Sequence, residues 1–301
     1  MSASPPTSPS VETEGPVQAT AVITRLEPVG AYHRLTLLAP GPARAGLRPG
    51  HFAALGIGGR DTATPLRRAF SVHRADPAAG TLDLVFAEAG RGTRALARHR
   101  PGDTVDLIAP LGRPFPQPAG ERGGAVLVAG GYGSAPMFAL AEELLAAGRA
   151  VAFVLGAATA DRLFGTDLAR ELTPYAHVLT DDGSAGSRGR VTDALPAAVA
   201  EVGARDVYSC GPMPMLKAVT EVAVAAGARS HTAVEEAMAC GIGICMSCVL
   251  PVVDADGTSR FLRSCVSGPV FDGTRVRWDE VGTLPADLEG ADAMTPKEHR
   301  P

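Results

Sequence analysis

An all-β domain, then an α/β domain, then a small cysteine-bearing module is the architecture that the 301 residues predict. Three observations carry it. Residues 17–118 hold short apolar or alternating segments cut by Gly, Pro and Asp turns at the spacing of a small β-barrel. Residues 119–230 alternate buried strand and amphipathic helix, the pattern of a parallel sheet covered on both faces. Residues 231–283 hold four of the five cysteines around a Gly-rich loop. Residues 1–16 and 284–301 read as polar tails.

The opening stretch, MSASPPTSPSVETEGP, is polar and rich in Ser and Pro, so a disordered tail is expected. It lacks the basic start and apolar core of a signal peptide. Apolar residues make up 46% of the chain and charged ones 20%, a balance that buries a proper core. A net charge of −4 with no basic cluster argues against a nucleic-acid partner. No apolar run approaches the ~20 residues that span a bilayer. Four cysteines gathered in one motif suit a reducing cytoplasm.

Within the barrel, VQATAVITRLEPV, HRLTLLAP, HFAALGIG, TLDLVFAEA and DTVDLIAP read as strands, and Thr93 to His99 as a short helix with Thr93 as its N-cap. LRRAFSV places Arg68, Phe70 and Ser71 at a strand end. Such a trio can clamp a flavin: the guanidinium pairs with pyrophosphate, the apolar residue packs on the cofactor, and the hydroxyl bonds the ring near N5. GRGTRAL then offers Gly90, Gly92 and Thr93 at a helix start whose amides can hold a phosphate. Taken singly these are a solvated strand end and a turn; together, at this separation, they point to a flavin.

After PQPAGERGG, the run GAVLVAG is a buried strand and GYGSAP a glycine loop. MFALAEELLAAG follows as a helix stopped by Gly148. The loop ends in Ala135 and Pro136, so it departs from the G-x-G-x-x-G fingerprint. Pro136 still suits a helix start. The amides of Gly130, Gly131 and Gly133 can cradle a nicotinamide nucleotide, although a tight turn in any α/β domain would look the same. RAVAFVLGAA, HVLTDDG and ARDVYSCGPM read as further strands. The last brings Cys210, ahead of Gly211 and Pro212, to the strand carboxyl ends where ligands of such sheets lie. Plain packing is the competing role for a buried cysteine. TDDGSAGSRGRVTDAL is a polar loop, Glu235 and Glu236 face solvent or cap the approach to the cysteine loop, and the scattered histidines have no metal-ligand spacing.

MACGIGICMSCVL and RSCVSGPVF place Cys240, Cys245, Cys248 and Cys265 as C-x4-C-x2-C, sixteen residues, then C. That is the plant-type ligand set of a [2Fe–2S] cluster. Gly241 and Gly243 let the chain wrap the inorganic core and expose N–H groups to its sulfurs. A structural zinc or two disulfides are the competing readings; zinc sites commonly add a second knuckle, which Cys265 lacks, and nothing marks secretion.

From about Val17 to Val281 the chain resembles the electron transfer subunits of NAD-linked dihydroorotate dehydrogenase, members of the ferredoxin–NADP reductase superfamily with a C-terminal [2Fe–2S] module. The resemblance rests on RAFS (Arg68 to Ser71, with Ala69 where the family has Pro), G-x-G-T (Gly90 to Thr93), AGGYGSAP, TDDGSAGSRG, the CGP at Cys210, and above all EEAMACGIGICMSC with CVSGPVF. It implies FAD bound by Arg68, Ala69, Phe70, Ser71, Gly92 and Thr93, with backbone lent by Val85, Phe86 and Ala87. NAD would lie on Gly130, Gly131, Gly133 and Pro136. Cys210 and Ser71 would act at the reacting ring. It further implies an FMN-bearing catalytic partner, in a heterotetramer of two of each subunit, docked near the cluster loop and serving pyrimidine biosynthesis. A flavin is needed between a hydride carrier and a one-electron centre. The small subunits of related reductases, sulfide dehydrogenases and hydrogenase diaphorases share these motifs, and a zinc-held binding module is the reading of another class. Asp161 would suit a ribose hydroxyl and Arg162 a 2′-phosphate, so the residues leave NAD against NADP open and the resemblance favours NAD.

Overall fold

The computed structural model describes residues 15–58, 65–117 and 123–291. Most of the N-terminal tail, and residues 292–301 of the C-terminal one, lie outside the described residues.

The first domain is a closed barrel of six antiparallel strands, as the turn spacing predicts. They are β1 (Val17–Val29), β2 (Tyr32–Leu38), β3 (Phe52–Gly56), β4 (Arg68–Asp76), β5 (Thr81–Phe86) and β6 (Thr104–Leu111), ordered β1-β2-β5-β4-β3-β6 with β6 back on β1. Alternation sends one face inward, where Ile23, Leu35, Leu55, Leu84 and Leu107 are fully buried. Each contributes about 1.5–3 kcal/mol on burial, more than an exposed ion pair does, so closure rests on this interior. Two short helices decorate the barrel, α1 (Pro40–Arg44) and α2 (Arg91–Leu96). Helix α2 starts earlier than Thr93 suggested. Gly90 is the N-cap, and Thr93 sits one turn in, its Oγ1 accepting the Gly90 N–H at 3.0 Å.

The second domain is a seven-stranded sheet ordered β10-β9-β8-β7-β11-β12-β15. Its strands are β7 (Gly124–Gly130), β8 (Val151–Ala157), β9 (Ala176–Thr180), β10 (Ser187–Arg188), β11 (Ala204–Cys210), β12 (Arg229–Ala233) and, after a gap, β15 (Val270–Asp272). All neighbours are parallel except β15, which runs antiparallel to β12. Along β7, Ala125, Leu127 and Ala129 face a core shared with α3 (Met137–Ala146) and α4 (Thr166–Leu172). Val126 and Val128 face α5 (Val191–Val202) and α6 (Met213–Ala225). The order of strands reverses between β7 and β11, so their carboxyl ends open a crevice.

Barrel and sheet share one core: Tyr32 and Val85 of the barrel pack with Phe138 and Phe153 of the sheet domain. At the junction, buried His73 donates from Nδ1 to the Ala135 carbonyl at 2.7 Å, edge-on to Phe138 and Phe164. On the far side Ala31 N–H bonds the Asp161 carbonyl at 3.0 Å. A Cβ on Gly30 would stand 2.8 Å from that oxygen, so only glycine lets the β1–β2 turn dock.

The cysteine module is an excursion from the sheet. The chain leaves at β12, forms the cysteine loop and the hairpin β13 (Val249–Val253) with β14 (Ser259–Arg263), and re-enters as β15. A boundary at 230/231 therefore falls inside β12, because the backbone pairing of β12 with β11 runs through Ala233. Residues 284–291 are also not a loose tail. Leu288 and Ala291 are buried, Glu289 N–H bonds the Ser259 carbonyl at 2.9 Å, and Arg260 and Arg277 pair with Glu289 and Asp287. Among the described residues no helix is long and apolar enough to cross a membrane.

Candidate functional site

A cleft of about 1110 Å³ opens where barrel, sheet and cysteine loop meet. The barrel contributes Arg68 to Ser71 from β4, Val85 to Ala87 from the end of β5, and Thr93. Side chains on β4 alternate, so Ala69 and Ser71 are exposed while Phe70 is buried in the barrel, its ring 5.7 Å from that of Phe86. Phe70 and Phe86 border the cleft while their rings also pack into the barrel interior. Arg68 donates from Nη1 to the Leu66 carbonyl at 2.7 Å and lays its guanidinium over Gly92, where a Cβ would meet Nε at 2.7 Å. Gly92 thus keeps open a cradle made of one guanidinium and the first turn of α2, a fit for the pyrophosphate of a flavin dinucleotide.

The sheet contributes Gly130 to Gly133, Pro136 and Cys210 to Pro212, from the ends of β7 and β11. Gly133 is forced by proximity, since its Cβ would stand 2.6 Å from the Cys210 carbonyl. Pro136 caps α3, where its missing N–H costs nothing. Burial, and then the Glu235 carboxylate, push the Cys210 thiol up to about 12, so this group is a neutral S–H able to donate, not a nucleophile.

Two residues beside it were not singled out for this cleft. Tyr132, inside the glycine loop, stands edge-on to Tyr32 at 5.4 Å and donates its hydroxyl to Glu235 at 3.3 Å. Burial, reinforced by that carboxylate, raises the Tyr132 pKa and keeps the phenol protonated. Glu235, read as facing solvent or capping the approach, is exposed and lines the cleft between Tyr132 and Cys210. Only a tyrosine framed by glycines hinted at the pair. Asp161 turns its carboxylate to Thr159 Oγ1 at 2.5 Å, whereas Arg162 lines the cleft together with Asp181 and Arg190.

The cysteine loop closes the third side through Glu235 to Ala239 and Ser247. Gly241 and Gly243 have φ of 72° and 84°, and a Cβ on Gly243 would meet Val266 at 2.5 Å. Met246, with φ of 58°, is the non-glycine residue that shares this backbone region. Cys240 Sγ accepts the N–H groups of Ile242 and Ile244, each at 3.4 Å. Burial opposes ionisation of Cys240, but these amides and that of Cys245 outweigh it and hold the thiol down at about 6. Cys248 and Cys265 are buried against Phe52, Ala54 and Leu111. Burial, then Cys248, push Cys265 up to about 12.

The thiols act on one another's ionisation, Cys245 on Cys240, and both Cys248 and Cys240 on Cys265. Among the described residues no three Cys, His, Asp or Glu groups converge at one point. Two thiolates per iron is what a [2Fe–2S] core asks of its ligands, whereas one zinc ion takes all four together. Four thiols on one Gly-rich loop and its returning hairpin, two of them buried and two near the surface, fit the cluster's ligand set. Around the loop Ile242, Ile244, Met246 and Val266 are exposed, Ile244 by 76%.

Comparison with known proteins agrees with this geometry. Residues 235–277 match the model of the iron–sulfur cluster binding domain of dihydroorotate dehydrogenase B, and residues 127–221 that of an oxidoreductase NAD-binding domain. The electron transfer subunit of dihydroorotate dehydrogenase B (NAD(+)) from Bacillus caldolyticus is 38% identical over 230 residues, covering 74% of this chain and 84% of that one. The Listeria monocytogenes serovar 1/2a protein of the same name is 37% identical over 246 residues, covering 80% and 92%. A solved NADH-dependent reduced ferredoxin–NADP oxidoreductase, studied for flavin-based electron bifurcation, superposes with a TM-score of 0.74 at 28% identity over 92% of this chain and 96% of that one. The cytochrome b5 reductase domain of Ulva prolifera nitrate reductase shares the fold, with a TM-score of 0.57 at 20% identity over 70% and 93%.

Proposed function

This chain belongs to the family of electron transfer subunits of dihydroorotate dehydrogenase B, and from that membership we propose that it relays electrons from a dihydroorotate-oxidising catalytic subunit to NAD+. FAD, a [2Fe–2S] cluster and NAD are its cofactors. Bound together they convert single electrons into a hydride. One observation carries the reading: a single cleft is walled by the flavin strand, the nucleotide loop and the cysteine loop at once.

Each residue then has a task. Arg68 pairs with the flavin pyrophosphate from above Gly92, and Thr93 holds the turn that presents the α2 amides. Ala69 and Ser71 face the isoalloxazine, and the Ser71 hydroxyl bonds it near N5. Val85 to Ala87 lend backbone to the flavin. Gly130, Gly131 and Gly133 leave room for the nucleotide, and Pro136 starts the helix beneath it. Cys210, kept protonated, donates its S–H toward the nicotinamide and positions it, with Tyr132 and Glu235 hydrogen-bonded beside it. Cys240, Cys245, Cys248 and Cys265 ligate the irons, two to each. The apolar collar of Ile242, Ile244, Met246 and Val266 receives the partner, which carries FMN and assembles with this chain two by two.

The test is reconstitution. The holoprotein, mixed with a dihydroorotate dehydrogenase B catalytic subunit, is expected to reduce NAD+ with dihydroorotate, and neither component does so alone. The likeness to the ferredoxin–NADP oxidoreductase favours a second reading, in which the partner is that of a ferredoxin-linked reductase. Reduction of NADP+ driven jointly by NADH and reduced ferredoxin, with no NAD+ reduction from dihydroorotate, would establish it instead.

A further inference from the structure

Ser247 lies between the second and third cysteines and reaches both the cleft and the cysteine loop. Its Oγ accepts the Ala239 N–H at 3.1 Å, donates to the Ala237 carbonyl at 3.1 Å, and stands 3.2 Å from Cys245 Sγ. A hydroxyl has one proton and two acceptor positions. While Cys245 is a thiol, every demand is met: S–H donates to Oγ and O–H donates to Ala237. A ligating sulfur is a thiolate with nothing to donate. The contact with Oγ is then favourable only if Ser247 turns its proton from the Ala237 carbonyl to the sulfur.

We propose that Ser247 sets the reduction potential of the cluster by donating a hydrogen bond to the Cys245 sulfur in the loaded protein. The inference rests on the electron-transfer reading above. Reduction adds negative charge to the irons and their sulfurs, so a hydroxyl dipole aimed at a ligand sulfur stabilises the reduced state and raises the potential. Cys240 already receives two backbone N–H groups, which no side-chain change short of proline removes. The side-chain donor on Cys245 is the adjustable part of this pair. Its second bond gives it reach: Ala237, Met238 and Ala239 line the cleft, so the proton that leaves Ala237 frees a carbonyl on the flavin side of the loop.

The test is a potentiometric titration of the cluster followed by its EPR signal in the holoprotein, for wild type, Ser247→Ala, Ser247→Gly and Ser247→Thr. The expected result is a lower potential in Ala and Gly and a value near wild type in Thr, which keeps the hydroxyl. Iron and sulfide are assayed alongside, and because the signal comes only from loaded molecules, partial loss of cluster leaves the reading intact. An unchanged potential in Ala and Gly overturns the proposal. Wild-type protein that binds neither iron nor sulfide overturns the electron-transfer reading itself, and the proposal falls with it.

Discussion

Gly92 and His51 are the single residues at which the fold is most exposed to test. A methyl at Gly92 would stand 2.7 Å from Arg68 Nε. The methyl would push the flexible Arg68 guanidinium aside at little cost to the fold, and because that guanidinium holds the pyrophosphate, Gly92→Ala is expected to weaken FAD by about tenfold, read by fluorescence titration of the apoprotein. His51 Nδ1 accepts the Arg48 N–H at 3.0 Å, and burial together with the Arg48 guanidinium lowers its pKa to about 4. An unfolded histidine titrates near about 6.5, so between these values the unfolded chain binds the extra proton. The stability tied to neutral His51 is complete above about pH 6.5 and declines as pH falls toward about 4. His51→Asn is expected to flatten the melting temperature across that window. The cysteine quartet was legible in the sequence because ligand chemistry dictates its spacing. That Phe70 borders the cleft and the barrel core at once was not legible, because a motif does not say which face of a strand meets the cofactor. The Tyr132–Glu235 contact joins residues 103 apart, and no local pattern announces it.

At the level of elements, Asp206 ties the start of β11 to its neighbours. Its carboxylate is fully buried, and its hydrogen bonds from His231, Arg229 and Arg149 overcome the desolvation and hold it well below the usual carboxylate range. Arg149 arrives from the loop before β8, and Arg229 and His231 from β12. Asp206→Asn leaves the Arg149 charge buried without its counter-ion and is expected to cost about 3–5 kcal/mol in thermal or denaturant unfolding. The C-terminal strap gives a second prediction. A chain ending at Thr283 loses Leu288, the Glu289 backbone bond and the pairs to Arg260 and Arg277. Amide exchange should then accelerate in β13 and β14 while FAD stays bound. The long strands and α3 were legible from periodicity, and α3 stops just before Gly148 as its composition suggests. The short strands β10, β12 and β15 were not, since two to five residues carry too little pattern. The strap was missed because its few buried apolar residues are scattered among polar ones.

The molecule as a whole divides its work between parts that fail separately. Cys248→Ser is expected to abolish the cluster's EPR signal and dihydroorotate-driven NAD+ reduction, yet to leave NADH-driven dye reduction through the flavin. Loss of both would mean that the module also supports the flavin site, by way of Phe52 and Leu111 beneath it. The places where the chain leaves and rejoins the sheet are neighbours: Ala233 faces Val270 in register, and Val234 N–H bonds the Pro269 carbonyl at 2.9 Å. A tight Asn-Gly reversal could bridge them. The iron-bearing segment is therefore a side branch with a closed neck. Pruned at that neck, the remainder keeps all seven ribbons of its sheet in their native order and ought to survive as a plain yellow reductase, ready to be grafted with a different one-electron outlet.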